Sequence, residues 1–150
     1  MDSLKSITPT IAVSGQPTEA DLKDLKAQGY VGVVNLRNEG EPEQPIGPAA
    51  EAEVAKSAGL AYLHYGVGGA PFDPKGIDAV NGFLDRHKGE KVLIHCRSGG
   101  RASAVVLLHE AKAHGWSASE AIEKGRAMGL EVKGGLQVMV EHYLSAHPAR

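Results

Sequence analysis

The stretch Lys91-Val-Leu-Ile-His-Cys-Arg-Ser-Gly-Gly-Arg101 leaves the chain few ways to fold. The apolar run Val92 to Ile94 is short and reads as a buried strand. It runs into the only cysteine, Cys96, then a glycine-rich loop, then a segment of helical character from Ala102 to His114. That order sets a thiol at a strand's end, where loop amides and a helix N-terminus converge. Unpaired N–H groups and the positive end of the helix dipole favour an anion there. The same field favours the thiolate, and Arg97 and Arg101 add to it. A thiolate beside an oxyanion cradle suits covalent chemistry on phosphate, sulfate or sulfane sulfur. A lone cysteine beside a strand is also commonly a small buried hydrophobe. Two arginines around it would be of little use to a purely structural site.

At 150 residues the chain is expected to form one domain, residues 1–150, with room for a real core. Its formal net charge of −2 argues against a nucleic-acid partner, which needs a basic excess. A single cysteine excludes an intrachain disulfide and fits a reducing compartment. Met1-Asp-Ser-Leu-Lys-Ser has no apolar core of signal-peptide length, and no run approaches a membrane span. A cytoplasmic protein with no membrane partner is the expectation.

Around the central stretch the chain alternates strand and helix. Thr10 to Ser14 reads as a weak strand and Thr18 as the cap of a helix whose inner edge is Leu22, Leu25 and Lys26, ended by Gly29. Val31 to Leu36 reads as a buried parallel strand. The loop 37–48, rich in Pro, Gly and acid, either shapes a binding site or is simply solvated. Ala49 to Ser57 reads as a helix, and Leu60 to Val67 as a third strand. Asp73 before Pro74 predicts a capped helix to about His87, with Ile77, Val80, Phe83 and Leu84 inward. Ser117-Ala-Ser-Glu120 predicts a capping box for a helix from Ala118 to Ala127. A last helix, from about Gly135 to Ala146, carries Leu136, Met139, Val140, Tyr143 and Leu144 inward. This is the pattern of an α/β fold: a central, mainly parallel sheet of about four or five strands flanked by helices. Sites in such folds lie at the carboxyl ends of the strands, where Cys96 falls.

A cysteine phosphatase needs a thiolate, a ring of loop amides, an arginine for the transferring phosphoryl group and an acid for the leaving oxygen. Cys96, Arg101 and the amides of Arg97, Ser98, Gly99, Gly100, Arg101 and Ala102 fill the first three roles. His95 either helps to hold the loop and thiolate or is a satisfied histidine at a strand end.

His95-Cys-Arg-Ser-Gly99 resembles the start of the protein tyrosine and dual-specificity phosphatase signature, His-Cys-x-x-Gly-x-x-Arg-Ser/Thr. More closely, the chain resembles the phosphatase-like domain of bacterial beta-lactamase hydrolase-like proteins. That resemblance rests on Ser14-Gly-Gln-Pro-Thr18, Val33-Val-Asn-Leu-Arg37 with Gly40-Glu41, Ala58-Gly-Leu-Ala-Tyr62 and His95-Cys-Arg-Ser-Gly-Gly-Arg101. Gly134-Gly-Leu-Gln137 is similar to a phosphatase segment that supports the active loop. The resemblance implies a compact phosphatase fold, a phosphocysteine intermediate, a phosphorylated protein or small molecule as substrate, no cofactor and no metal. It also implies an aspartate acid upstream of the central helix. Asp73 is the only aspartate in the matching loop, where it also fits a helix cap; His64, Glu39 and Glu41 are the other candidates.

One spacing departs from the signature. Four residues, not five, separate Cys96 from Arg101, and Ala102 stands where the signature has its arginine. That length and the string Cys-Arg-Ser-Gly-Gly-Arg are similar to the rhodanese sulfurtransferases, whose cysteine carries a persulfide. The chain lacks the Asp-x-Arg strand and the Gly-His-Ile-Pro-Gly-Ala stretch of that family. Sulfur transfer, or phosphate binding without turnover, therefore stands as the alternative to phosphatase activity.

Overall fold

The computed structural model describes residues 4–149. In chain order its elements are β1 (Lys5–Ser6), β2 (Ile11–Ser14), α1 (Glu19–Leu25), β3 (Tyr30–Asn35), α2 (Pro48–Ser57) and β4 (Ala61–His64). They continue with α3 (Pro74–Arg86), β5 (Lys91–His95), α4 (Gly100–His114), α5 (Ala118–Met128) and α6 (Gly135–Ala146). The strands form one five-stranded sheet in the order β1-β2-β5-β3-β4, parallel except for β1. The strand β5, buried from Val92 to His95, is thereby enclosed between β2 and β3, as a strand buried on both faces must be.

The two-residue period of the strands divides their side chains between two cores. Leu93, Val33 and Ala12 point toward Leu22, Leu25 and Ala55 of α1 and α2. Val92, Ile94, Val34 and Val13 point to the larger core, shared with Ile77, Val80, Val105 and Val140 of α3, α4 and α6. Continuing that parity, His95 and Asn35 face α2, whereas Cys96 faces the larger core. The split decides what each site residue can touch.

The helix caps follow the sequence. Thr18 and Asp21 form a capping box on α1, Asp73 caps α3 ahead of Pro74, and Ser117 and Glu120 form a capping box on α5. The apolar stripe of α3 is buried as expected. On α6, Val140 and Leu144 are buried, while Leu136, Met139 and Tyr143 are half-buried.

Two expectations are corrected, and one strand was not anticipated. Lys26 is not on an inner edge: α1 ends at Leu25, and exposed Lys26 extends its ammonium to the carbonyl of Gly59 at 3.2 Å. The third parallel strand is shorter than the reading Leu60 to Val67, because Asn35, the last residue of β3, pairs with His64. The strand β1 was not foreseen, since its two residues are polar and exposed and carry no hydrophobic period.

Candidate active site

Cys96 leaves the carboxyl end of the central strand and is 1% exposed. Both neighbouring strand ends hold its loop. The Cys96 N–H donates to the Ser14 carbonyl at 3.3 Å, and the Gln16 N–H donates to the Arg97 carbonyl at 3.1 Å. On the other side the Leu36 N–H donates to the His95 carbonyl at 2.9 Å. The loop then turns through Gly99, whose φ of 101° lies in the left-handed region that glycine adopts without a Cβ penalty. That turn aims the Gly99 N–H at the sulfur, 3.1 Å away. Gly100 opens α4, packed so closely under Leu136 that an added Cβ would stand 3.3 Å from its methyl. The Gly134 to Gln137 segment thus supports the loop through Leu136.

Helix geometry leaves the first-turn amides of Gly100, Arg101 and Ala102 without carbonyl partners four residues back. They converge with the dipole of a fifteen-residue helix beside the thiol. Ser103 closes the turn, with its N–H and hydroxyl both donating to the Gly99 carbonyl at 2.9 Å. Starting at Gly100 rather than Ala102, α4 places Arg101 in its first turn. The guanidinium donates through Nη1 and Nη2 to Glu41 at 2.7 and 2.9 Å, and through Nη1 to the Val67 carbonyl at 2.8 Å. Its hydrogen bonds to Glu41 outweigh the effect of burial, and with the charge of Cys96 they raise its pKa further.

Glu41 corrects a reading. As a fallback proton donor it would have to hold a proton near neutrality. The hydrogen bond from Arg101, with help from the Asn38 N–H and Arg37, overcomes partial burial and holds its carboxyl at about 2. It is therefore an anion that orients arginines. The exposed Arg97 guanidinium pairs with exposed Glu43. Ser98 is exposed, and the Ala102 side chain is buried in the core. Asp73 spends one carboxylate oxygen on the Lys75 N–H, at 3.0 Å, as the cap of α3. The loop between β4 and Asp73 is fastened near its start by Val67 and near its end by buried Phe72. His64 lies 2.6 Å through Nε2 from the Arg37 carbonyl, and Glu39 is exposed.

Sequence reasoning missed the layer beneath the loop. Arg37 is fully buried, donating to Glu41 (3.0 Å), to Gln16 Oε1 (3.0 Å) and to the carbonyls of Pro42 (2.6 Å) and Glu43 (3.3 Å). It thereby fixes the loop that carries Glu41. Glu51, in the first turn of α2, is fully buried against His95. The available signal for Glu51 was its helical spacing from Ala55, which puts both on the side of α2 that is buried. Strand parity was the signal for His95 facing α2 rather than the thiol.

Among the described residues, no group of three or more His, Cys, Asp or Glu is placed to hold a metal ion. Nor is any helix long and apolar enough to cross a membrane. A cleft of about 320 Å³ opens at the amino ends of β2 and β5, between Thr10, Leu84 and His109. It lies at the other end of the strands from Cys96, and neither cysteine nor arginine lines it.

A mainly parallel five-stranded sheet with a cysteine loop between its central strand and the next helix is the architecture of the protein tyrosine phosphatase-like enzymes. Tk-PTP in its active form shares it with a TM-score of 0.77 over 97% of both chains at 25% identity. PTPMT1 shares the fold with a TM-score of 0.76 over 95% of this chain and 94% of that one, at 18% identity. Within this class, the chain belongs to the phosphatase-like domain family of the beta-lactamase hydrolase-like proteins, whose model matches residues 3–113. The beta-lactamase hydrolase-like protein of Xylella fastidiosa is 38% identical over 105 residues, which are 69% of this chain and 24% of that protein. The chain thus matches about a quarter of the length of its curated relatives. Family and fold together place the chain among phosphatase-like domains.

Proposed function

We propose that the protein is a cysteine-dependent phosphomonoesterase. The observation that carries this reading is the Gly99 N–H on the Cys96 sulfur at the mouth of α4, with Arg101 rising from the first turn of the same helix. A tetrahedral dianion above the sulfur would meet the open amides, the helix dipole and a guanidinium whose plane Glu41 and Val67 have set. With four intervening residues, Arg101 still belongs to that cradle, because the helix begins one residue before it.

In the proposed reaction the Cys96 thiolate attacks phosphorus and the ester P–O bond breaks. The departing oxygen takes a proton from Asp73, leaving a phosphocysteine. Water then attacks phosphorus and gives a proton to Asp73, and the P–S bond breaks to return the thiolate and free phosphate. Arg101 and the amides of Arg97, Ser98, Gly99, Gly100 and Ala102 hold the phosphoryl oxygens, whose charge grows in both transition states.

The test is hydrolysis of an aryl phosphate between about pH 5 and 8 by wild type, Cys96→Ser and Asp73→Asn. Turnover is expected in the wild type, abolished in Cys96→Ser and reduced about 10²-fold in kcat by Asp73→Asn, with the basic limb of the profile lost. A wild type without phosphate release, but forming thiocyanate from thiosulfate and cyanide, would replace this reading with sulfur transfer. Neither product, with phosphate still bound, would leave a binding module.

A further inference from the structure

Asp73 enters α3 with its backbone fully engaged. Pro74 brings no N–H, and two of the first donors that follow it turn to Asp73. The Lys75 N–H donates to Oδ1 at 3.0 Å and the Ile77 N–H to the carbonyl at 3.0 Å. The Asp73 N–H itself donates to the Tyr65 hydroxyl at 2.9 Å, eight residues back along the chain. The other carboxylate oxygen, Oδ2, has no partner among the described residues. Tyr65 is in turn fixed at both ends. Its N–H donates to the Asn35 carbonyl at 3.0 Å, which extends the pairing of β3 and β4 one step beyond His64. Its ring lies on the backbone of Gly76, the third residue of α3. A Cβ at Gly76 would stand 2.3 Å from Cε1 of that ring and 2.5 Å from Cδ1 and Cζ, closer than carbon atoms approach. Glycine weakens a helix relative to alanine, and the approach of the ring is the physical reason for one at this position. Tyr65 is therefore a strut between the end of β4 and the start of α3, with its hydroxyl on Asp73.

We propose that Tyr65 is a positioning residue for the acid step: its hydroxyl, braced against Gly76, holds the Asp73 backbone so that the carboxyl group keeps one place at the start of α3. This rests on the reading of Asp73 as the proton donor to the leaving oxygen. The neighbouring residue is held independently, since Phe72 is buried and meets Tyr143 of α6 edge to face with ring centroids 6.4 Å apart. Loss of the hydroxyl therefore frees Asp73 without unpacking the segment that carries it, and its exposed N–H turns to water. A misplaced acid slows the breaking of the P–O bond in proportion to how much the leaving oxygen needs a proton, and leaves the binding of the phosphoryl group to the cysteine loop as it was.

The test measures kcat/KM of wild type, Tyr65→Phe, Asp73→Asn and the double variant on phenyl phosphate and 4-nitrophenyl phosphate. Phenolate is a poor leaving group that needs the acid, whereas 4-nitrophenolate needs it much less. Tyr65→Phe keeps the ring and removes only the acceptor. It is expected to lose about tenfold on phenyl phosphate and about twofold or less on 4-nitrophenyl phosphate, with no further loss when added to Asp73→Asn. Gly76→Ala, whose methyl group drives the ring away, should show the same dependence on the leaving group, and it decides the matter should Tyr65→Phe not fold. Equal losses on the two esters, or a full additional loss in the double variant, would overturn the proposal. A change of leaving-group dependence in Asp73→Asn with none in Tyr65→Phe or Gly76→Ala would overturn it alone. Wild-type leaving-group dependence in Asp73→Asn would overturn the acid assignment, and no turnover of either ester by wild type the phosphatase reading, each taking the proposal with it.

Discussion

Substituting Glu41→Gln should flatten the acid limb of the protein's stability, and the size of the effect follows from the site. The Glu41 carboxylate receives two hydrogen bonds from Arg101, one from Arg37 and one from the Asn38 N–H, with only 18% of its side chain exposed. Its folded value of about 2, against 4.5 in the absence of these partners, corresponds to about 3 kcal/mol in favour of the ionised folded form. Because the folded value is the lower one, the unfolded chain binds the extra proton. The contribution is therefore complete above about pH 5 and fades as pH falls toward 2. Urea denaturation of both proteins, from about pH 6 down to about pH 2.5, measures it. The stability gap between wild type and Glu41→Gln should shrink from about 3 to about 1 kcal/mol over that range. Any cost of leaving Arg101 and Arg37 short of a carboxylate does not titrate there and adds only a constant offset. A gap that stays the same at every pH would refute the reasoning. The other depressed carboxylates, Asp21 and Glu51, cancel because both proteins keep them.

Gly99→Ala places a Cβ at a φ of 101°, and should lower stability by about 1–3 kcal/mol while displacing the N–H that meets Cys96. Denaturant midpoints should fall, and low-pH iodoacetamide reactivity should fall with them; an unchanged thiol would mean that the Gly99 amide does nothing for it. Leu93→Ala empties a fully buried position in the smaller core and should cost about 2–5 kcal/mol without changing kcat per folded molecule. A kcat loss larger than the folded fraction explains would show that the core and the loop are coupled.

The parallel strands, the helices and the cysteine loop were legible because their signals are local. The capping residues Thr18, Asp73 and Ser117 stand next to the turns they satisfy, and the apolar run of β5 announces a strand enclosed on both faces. The Cys96-to-Arg101 string likewise carries its thiol, its turn glycine and its helix start within six positions. In the same way, its glycines and arginines pointed to an anion before any fold was known.

What the chain order could not reveal was how the two arginines divide their work and what lies beneath the loop. Arg97 and Arg101 read alike as charges near a thiol. One pairs with Glu43, and the other meets Glu41, sixty residues away, only because α4 begins at Gly100 and Arg37 anchors the intervening loop. Glu51 and His95, forty-four residues apart, meet because the sheet sets β5 between β2 and β3 and because strand parity turns His95 toward α2. Local sequence supplies the period and the caps. The burial of a charge is tolerable only where distant partners satisfy it, so those partners are chosen by the packing of the whole sheet and its helices.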